Sequence, residues 1–234
     1  MPTIAWQGGG WRSVRGCLAW ASLAVLLAAL APRSLAGQDE RVEVWPEVDV
    51  WVQLSPAWKL YFVAAVSRAR EVDYTEALLG GHLDYRFNRH LSARLGYRFL
   101  WAPSEIGDST VYTEHRPLAE ATARAYPGLG VVLLDRNRFD LRVIDGETSW
   151  RYRNRVRAER TFFFSGARSL NPYGMVEFGY DSRFDVFNRI RLQVGAEVQF
   201  SRRVMLDTYY VRQWDDYSSV PRLNALGFAL NLTY

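Results

Sequence analysis

Residues 189–200 read RIRLQVGAEVQF. Their even positions hold Ile190, Leu192, Val194, Ala196, Val198 and Phe200, while their odd positions hold Arg189, Arg191, Gln193, Gly195, Glu197 and Gln199. A helix would spread these sets around its axis, but a strand sends successive side chains to opposite faces, so one face is wholly apolar. Residues 226–234 and 91–101 repeat the pattern. From Val42 onward the alternation recurs near 42–54, 57–69, 78–88, 91–102, 111–125, 130–144, 149–162, 171–181, 188–200, 203–214 and 223–234. Turn-rich breaks separate these segments, and helical periodicity is almost absent. The chain is therefore predicted to be all-β.

The segments exceed the usual five or six residues of a globular strand. Aromatic residues make up 15% of the chain, and many fall near segment ends: Trp51, Trp58, Phe99, Trp101, Tyr126, Trp150, Phe162, Tyr180, Phe200, Trp214 and Tyr234. Rings so placed form girdles at membrane interfaces. The breaks at Asn88-Arg89 and Ser201-Arg202 are short, whereas 102–110, 145–148, 182–187 and 215–222 are longer and polar. A soluble β-sandwich also alternates, but it rarely carries such long segments with bulky apolar ends. The pattern predicts a transmembrane antiparallel up-and-down β-barrel. Eleven segments are visible, whereas bacterial single-chain barrels have an even number of strands. Because Pro46 cannot donate to a ladder, splitting 38–45 from 46–54 gives twelve strands; ten is the alternative if one segment is not a strand.

Arg12 and Arg15 precede the uncharged run 17–31, CLAWASLAVLLAALA, and Ser34-Leu35-Ala36 then offers small residues for cleavage. This predicts a secretory signal peptide over 1–36 and a barrel domain over 37–234, since the run falls short of the roughly 20 residues of a spanning helix. Cys17, the only cysteine, would leave with the leader, so no thiol chemistry is expected. The same cut removes Arg12, Arg15 and Arg33 and no acid, which turns 29 basic against 25 acidic residues into 26 against 25. The basic isoelectric point is thus no sign of a nucleic-acid partner, and none is expected. An exported barrel belongs in the bacterial outer membrane, with its lipid as one partner. The C-terminal segment ending at Tyr234 resembles the signal that barrel assembly machinery reads, so that machinery is the other.

Residues 149–160, SWRYRNRVRAER, put Arg151, Arg153, Arg155, Arg157 and Glu159 on one face. In a barrel with an apolar exterior that face points into the lumen. Neighbouring segments add Arg136, Arg138, Asp140 and Arg142, then Glu177 and Asp181, then Arg189, Arg191 and Glu197. Arginine holds carboxylates bidentately, and pairing offsets the cost of burying charge. The first expectation is an ion-pair lattice that braces a narrow, largely filled lumen. The second is a positive constriction for small or anionic solutes, made by an arginine surplus around 136–157.

Only His82, His90 and His115 are available for acid-base work. His115 lies near Asp108 and Ser109, so a hydrolase site at the external loops is the alternative expectation, although nothing resembles a nucleophile elbow. No metal site, cofactor or phosphate loop is expected, because histidines and cysteines do not cluster.

The stretches EHR at 114–116, DRNRFDLR at 135–142, RYRNRVRAER at 151–160, PYGMVEFGYD at 172–181, NRIRLQVG at 188–195 and YYVRQWD at 209–215 resemble the domain of unknown function 2490 family. The resemblance spans nearly the whole chain after the leader. It implies an outer-membrane barrel of Gram-negative bacteria and brings no known activity. The expected role is non-enzymatic, as a narrow channel, a transporter or an envelope structural protein, and the sequence leaves the oligomeric state open.

Overall fold

The computed structural model describes residues 40–69, 75–103, 111–164, 166–218 and 220–234. The predicted leader over 1–36 lies outside them, as do Asp108 and Ser109. The strands are β1 (Glu40–Gln53), β2 (Trp58–Ala69), β3 (Thr75–Arg86), β4 (Leu91–Pro103), β5 (Val111–Gly128), β6 (Val131–Ile144), β7 (Glu147–Arg160), β8 (Phe162–Phe163), β9 (Ser169–Asp181), β10 (Val186–Gln199), β11 (Val204–Asp215) and β12 (Arg222–Thr233). Each long strand pairs antiparallel with the next, and β1 pairs with β12 to close the sheet on itself. Closure leaves no unpaired edge, which a wall in hydrocarbon requires.

The wall contains 11 strands, not the twelve or ten expected. The twelfth element, β8, is a two-residue strip on the margin of β9. With an odd number of alternating strands the first and last point the same way, so the β1–β12 seam is parallel and the up-and-down pattern breaks there once. Pro46 does not divide β1. It interrupts pairing toward β2, where the register passes from Val44↔Arg68 to Glu47↔Ala65, but β12 pairs straight through it at Pro46↔Phe228. A neighbour on one side is enough to carry the strand past the missing donor.

The distribution of side chains is the reverse of a water-soluble protein. Leu95 and Leu79 are 65% and 51% exposed, and Phe62, Phe139, Ile190, Leu192, Phe228 and Leu230 also face outward. Among the described residues, the largest fully buried side chains are Arg138, Glu114, Glu177, Val211, Asp140 and Asp181. An apolar coat around a charged interior suits a wall surrounded by lipid, and the molecule is a membrane-spanning barrel.

The connection after β6 is shorter than expected. Asp145 and Gly146 both have positive φ, 49° and 91°, as a two-residue primed turn demands. The β7–β9 connection at the opposite end is the longer one, so loop length alternates only in part.

Inside the wall, small residues make room for large ones. A Cβ on Gly195 would lie 2.7 Å from the Thr208 carbonyl oxygen and 2.8 Å from the Tyr173 ring. The carbonyl belongs to the ladder and cannot retreat, so overpacking there should cost about 1–3 kcal/mol. Gly174, which has nothing within 4 Å of its would-be Cβ, is the control. Gly195→Ala should lower the temperature at which the barrel loses its folded mobility on gels, and Gly174→Ala should leave it unchanged.

Candidate functional site

The arginines are brought together by strand register. Pairing of β6 with β7 sets Arg136 opposite Arg155 and Arg138 opposite Arg153, which alone would be repulsive. Pairing of β7 with β9 then sets Glu177 opposite Arg155 and Asp181 opposite Arg151. Carboxylates thus flank the arginine pairs.

Four acids organise the result. Glu177 accepts from Arg136 at 2.9 Å and Arg155 at 2.8 Å, with Arg153 at 3.6 Å. Asp140 holds Arg138 at 2.7 Å and Arg153 at 2.9 Å. Asp181 holds Arg142, Arg151 and Arg183 at 3.0, 2.7 and 2.9 Å. Glu114 holds Arg116 at 2.7 Å and both forks of Arg142 at 2.6 and 2.7 Å. Further around, Arg157 bridges Glu159 and Glu197, each at 2.6 Å, and Arg189 meets Asp215 at 2.5 Å. The charges cross-link β5, β6, β7, β9, β10 and β11 from within.

Eight of the nine arginines singled out from the sequence have a carboxylate within 3 Å in this lattice. The exception is Arg191. Its Nε and Nη2 donate to Gln213 Oε1 at 3.0 and 2.5 Å, its guanidinium lies 5.2 Å from the Trp45 ring, and Glu177 is 3.9 Å away. Arg98 was not singled out and has a similar setting. Its Nε donates to His82 Nε2 at 3.2 Å, so the imidazole carries its proton on Nδ1, which faces the Tyr61 carbonyl at 3.4 Å. A neutral amide and a neutral imidazole satisfy donors without cancelling charge.

Both arginines line one cavity of about 640 Å³ in the half of the barrel toward the β9–β10 and β11–β12 connections. Arg153, Glu47, Trp45 and Tyr209 line it too, and the stacked rings of Phe184 and Tyr217, 4.5 Å apart, stand at its mouth. Toward the other end side chains fill the lumen, among them the Arg94–Asp84 fork at 2.6 and 2.8 Å and Tyr173 bonded to Asp207 at 2.9 and 3.0 Å. The interior is a vestibule above a braced plug. Sequence reasoning missed Asp215 because it ended that strand at 214, one residue early. It read Arg98 only as one of the luminal charges and missed its neutral partner, because partner chemistry depends on register.

His115 faces outward, hydrogen-bonded to the Tyr97 hydroxyl, with its ring 5.2 Å from Phe99. Among the described residues no three His, Cys, Asp or Glu side chains gather as metal ligands would.

A closed wall with a lipid-compatible outside and an ion-paired inside defines the class: a membrane-spanning β-barrel with a partly filled lumen. The chain belongs to a family described as "Protein of unknown function (DUF2490)", whose model matches residues 42–224. No curated protein matches it. Among solved structures, LpxR from Salmonella typhimurium is similar in fold, with 11% identity and a TM-score of 0.51 over 79% of this chain and 86% of that one.

Removing Asp181 would take the carboxylate from buried Arg151 and leave Arg142 with Glu114 alone, at a fully buried position. Asp181→Ala should cost about 3–5 kcal/mol, the range for breaking one partner out of a buried pair, read as a lower urea midpoint in lipid vesicles. Arg183→Gln removes a side chain 39% exposed, where solvent screens the pair, and should cost less than about 1 kcal/mol.

Proposed function

We propose that this protein is an exported outer-membrane barrel that binds small anionic solutes in its vestibule and passes them slowly, without catalysing a reaction. The observation that carries this reading is the pair Arg98 and Arg191. Both line the vestibule and donate their hydrogen bonds to neutral partners, His82 and Gln213, with Glu177 no nearer to Arg191 than 3.9 Å, so their charge is less closely cancelled than that of the eight arginines with a carboxylate within 3 Å. A guanidinium whose free edge faces such a space offers the fork that carboxylate and phosphate oxygens fit.

The remaining arginines act as a brace in this reading. Their pairing holds the wall, and the filled half restricts passage to small ions, unlike the open channel of a sixteen-stranded porin. The predicted leader supports export, and the alternating C-terminal segment ending at Tyr234 supports insertion by barrel assembly machinery into outer-membrane lipid. That direction of insertion would turn the vestibule outward, because the C-terminal strand end lies at the opposite rim.

Planar-bilayer recording across a tenfold potassium chloride gradient tests the reading. The refolded barrel should give small steps with a reversal potential on the chloride side of zero. Arg98→Gln with Arg191→Gln should bring that potential to zero or reverse its sign while folded mobility on gels is kept. Silence from a correctly folded barrel, or an unchanged preference in the double variant, overturns it.

A further inference from the structure

At mid-strand, β6 and β7 are polar on both faces, although Leu133, Phe139, Leu141, Trp150 and Val156 keep the rest of their outer face apolar. Their inward side chains form the lattice, but outward Asp135, Asn137, Tyr152 and Asn154 also meet one another. Asn154 Nδ2 donates to Asp135 Oδ1 at 2.6 Å and to Asn137 Oδ1 at 3.1 Å. Asn137 Nδ2 donates to Asp135 Oδ2 at 3.2 Å, and the Tyr152 hydroxyl donates to Asn137 Oδ1 at 2.5 Å.

The position of this cluster is what makes it informative. Asn137 is seventh of the 14 residues of β6, and Asn154 is eighth of the 14 of β7. They are paired in register, so the cluster sits at mid-height of the wall, where the bilayer is driest. Other outward charges lie nearer strand ends: Arg68 in β2, Arg160 in β7, Arg222 at the start of β12, and Arg212 in β11, which stacks 5.3 Å from the Trp214 ring and has length to reach the interface.

The bonds within the cluster do not complete it. Both amide protons of Asn154 are in use, whereas Asn154 Oδ1 accepts none of the bonds above and the Asp135 carboxylate has capacity beyond its two donors. Acceptors left facing hydrocarbon cost several kcal/mol each. Polar side chains at membrane depth accordingly face protein rather than lipid. Beside the cluster the outward row of β5 is Ala119, Ala121 and Ala123, with Ala121 paired to Asn137 on one side and to Ala93 of β4 on the other. Such a strip lets a second backbone come close.

We propose that the outward face centred on β5 and β6 is the interface of a homodimer within the membrane. A water-soluble partner cannot reach mid-height, so the occupant is itself membrane-spanning. Two copies inserted in the same direction are related by a two-fold axis along the membrane normal, and each residue then meets side chains of its own depth. Asn137 Nδ2 makes one bond within the cluster and so keeps a second proton, which can donate to Asn154 Oδ1 of the other copy, and the two-fold axis repeats that bond, so the patch is complementary to itself in hydrogen bonding. The convex wall limits contact to about three strands at ~4.8 Å spacing over a belt ~25 Å tall, roughly 350 Å² per copy. That is small for a dimer in water. In lipid, apolar contact gains nothing over acyl chains, so close alanine packing and interchain hydrogen bonds carry the association.

Disulfide trapping in outer membranes of cells expressing the full chain tests this, in a Cys17→Ser background that removes the chain's one thiol. Ala121→Cys should yield an oxidised product of twice the chain mass, while Leu192→Cys, outward on β10, should not. Replacing Asp135, Asn137 and Asn154 by Leu in the Ala121→Cys chain should reduce that product about tenfold with folded mobility retained. Three results overturn the proposal: no Ala121→Cys product, equal products at both positions as from random collision, or a product of another mass as from a different membrane protein. A leucine variant that folds and cross-links as before overturns it too. If that variant does not fold, the comparison of the two cysteine positions decides.

Discussion

Every charge inside this barrel must find an opposite charge or a neutral hydrogen-bond partner inside the barrel. The wall faces lipid, so an unpaired luminal ion deep in the wall has little water to turn to, and its burial would cost several kcal/mol. That single requirement orders much of the structure. It explains why acids appear on strands adjacent to the arginines: Asp140 within β6, Glu177 and Asp181 on β9, and Glu114 on β5. It also penalises a register slip. Moving β9 by one residue against β7 would turn Glu177 and Asp181 into lipid and leave Arg151 and Arg155 facing apolar side chains. The ion pairs are therefore devices of specificity as much as of cohesion, while closure of the sheet supplies the backbone bonds.

The inward identity of the arginines was legible because alternation is a local property. Arg151 to Arg157 on odd positions, beside an apolar even face in 189–200, can point only one way once the exterior is lipid. Which acid each arginine meets was not legible, because partnership depends on register, and register is a relation between strands. The strand count failed for a related reason. The eleven segments were visible, yet Pro46 was allowed to divide the first of them. Nothing in the local sequence says that β12 lies alongside β1 and pairs through the proline. The two arginines with neutral partners were hidden likewise: Arg98 reads as one more luminal cation until His82, two strand positions from its register mate Gly80, is seen beneath it.

The outward cluster was hidden in plain view. DRNR at 135–138 is polar on both faces, and a reading that follows only the charged ladder records Arg136 and Arg138 and passes over Asp135 and Asn137. A strand polar on both sides is poorly suited to separate lipid from lumen. Such a segment is stable in a membrane only where protein covers its outer face.

The two polar faces of β6 and β7 also bear on each other mechanically. On the inner side Glu177, Asp140 and Asp181 tie β6 and β7 to β9 through six arginines, so this part of the wall is the most densely cross-linked. A rigid wall holds Asn137 and Asn154 in fixed relation, which lowers the ordering cost of meeting an equivalent surface. A flexible wall would let the amides turn toward each other and lose their complementarity to a second copy. The lattice that keeps charge out of lipid thus also pre-organises the outer face, and the same strands join the inner and outer chemistry of the barrel.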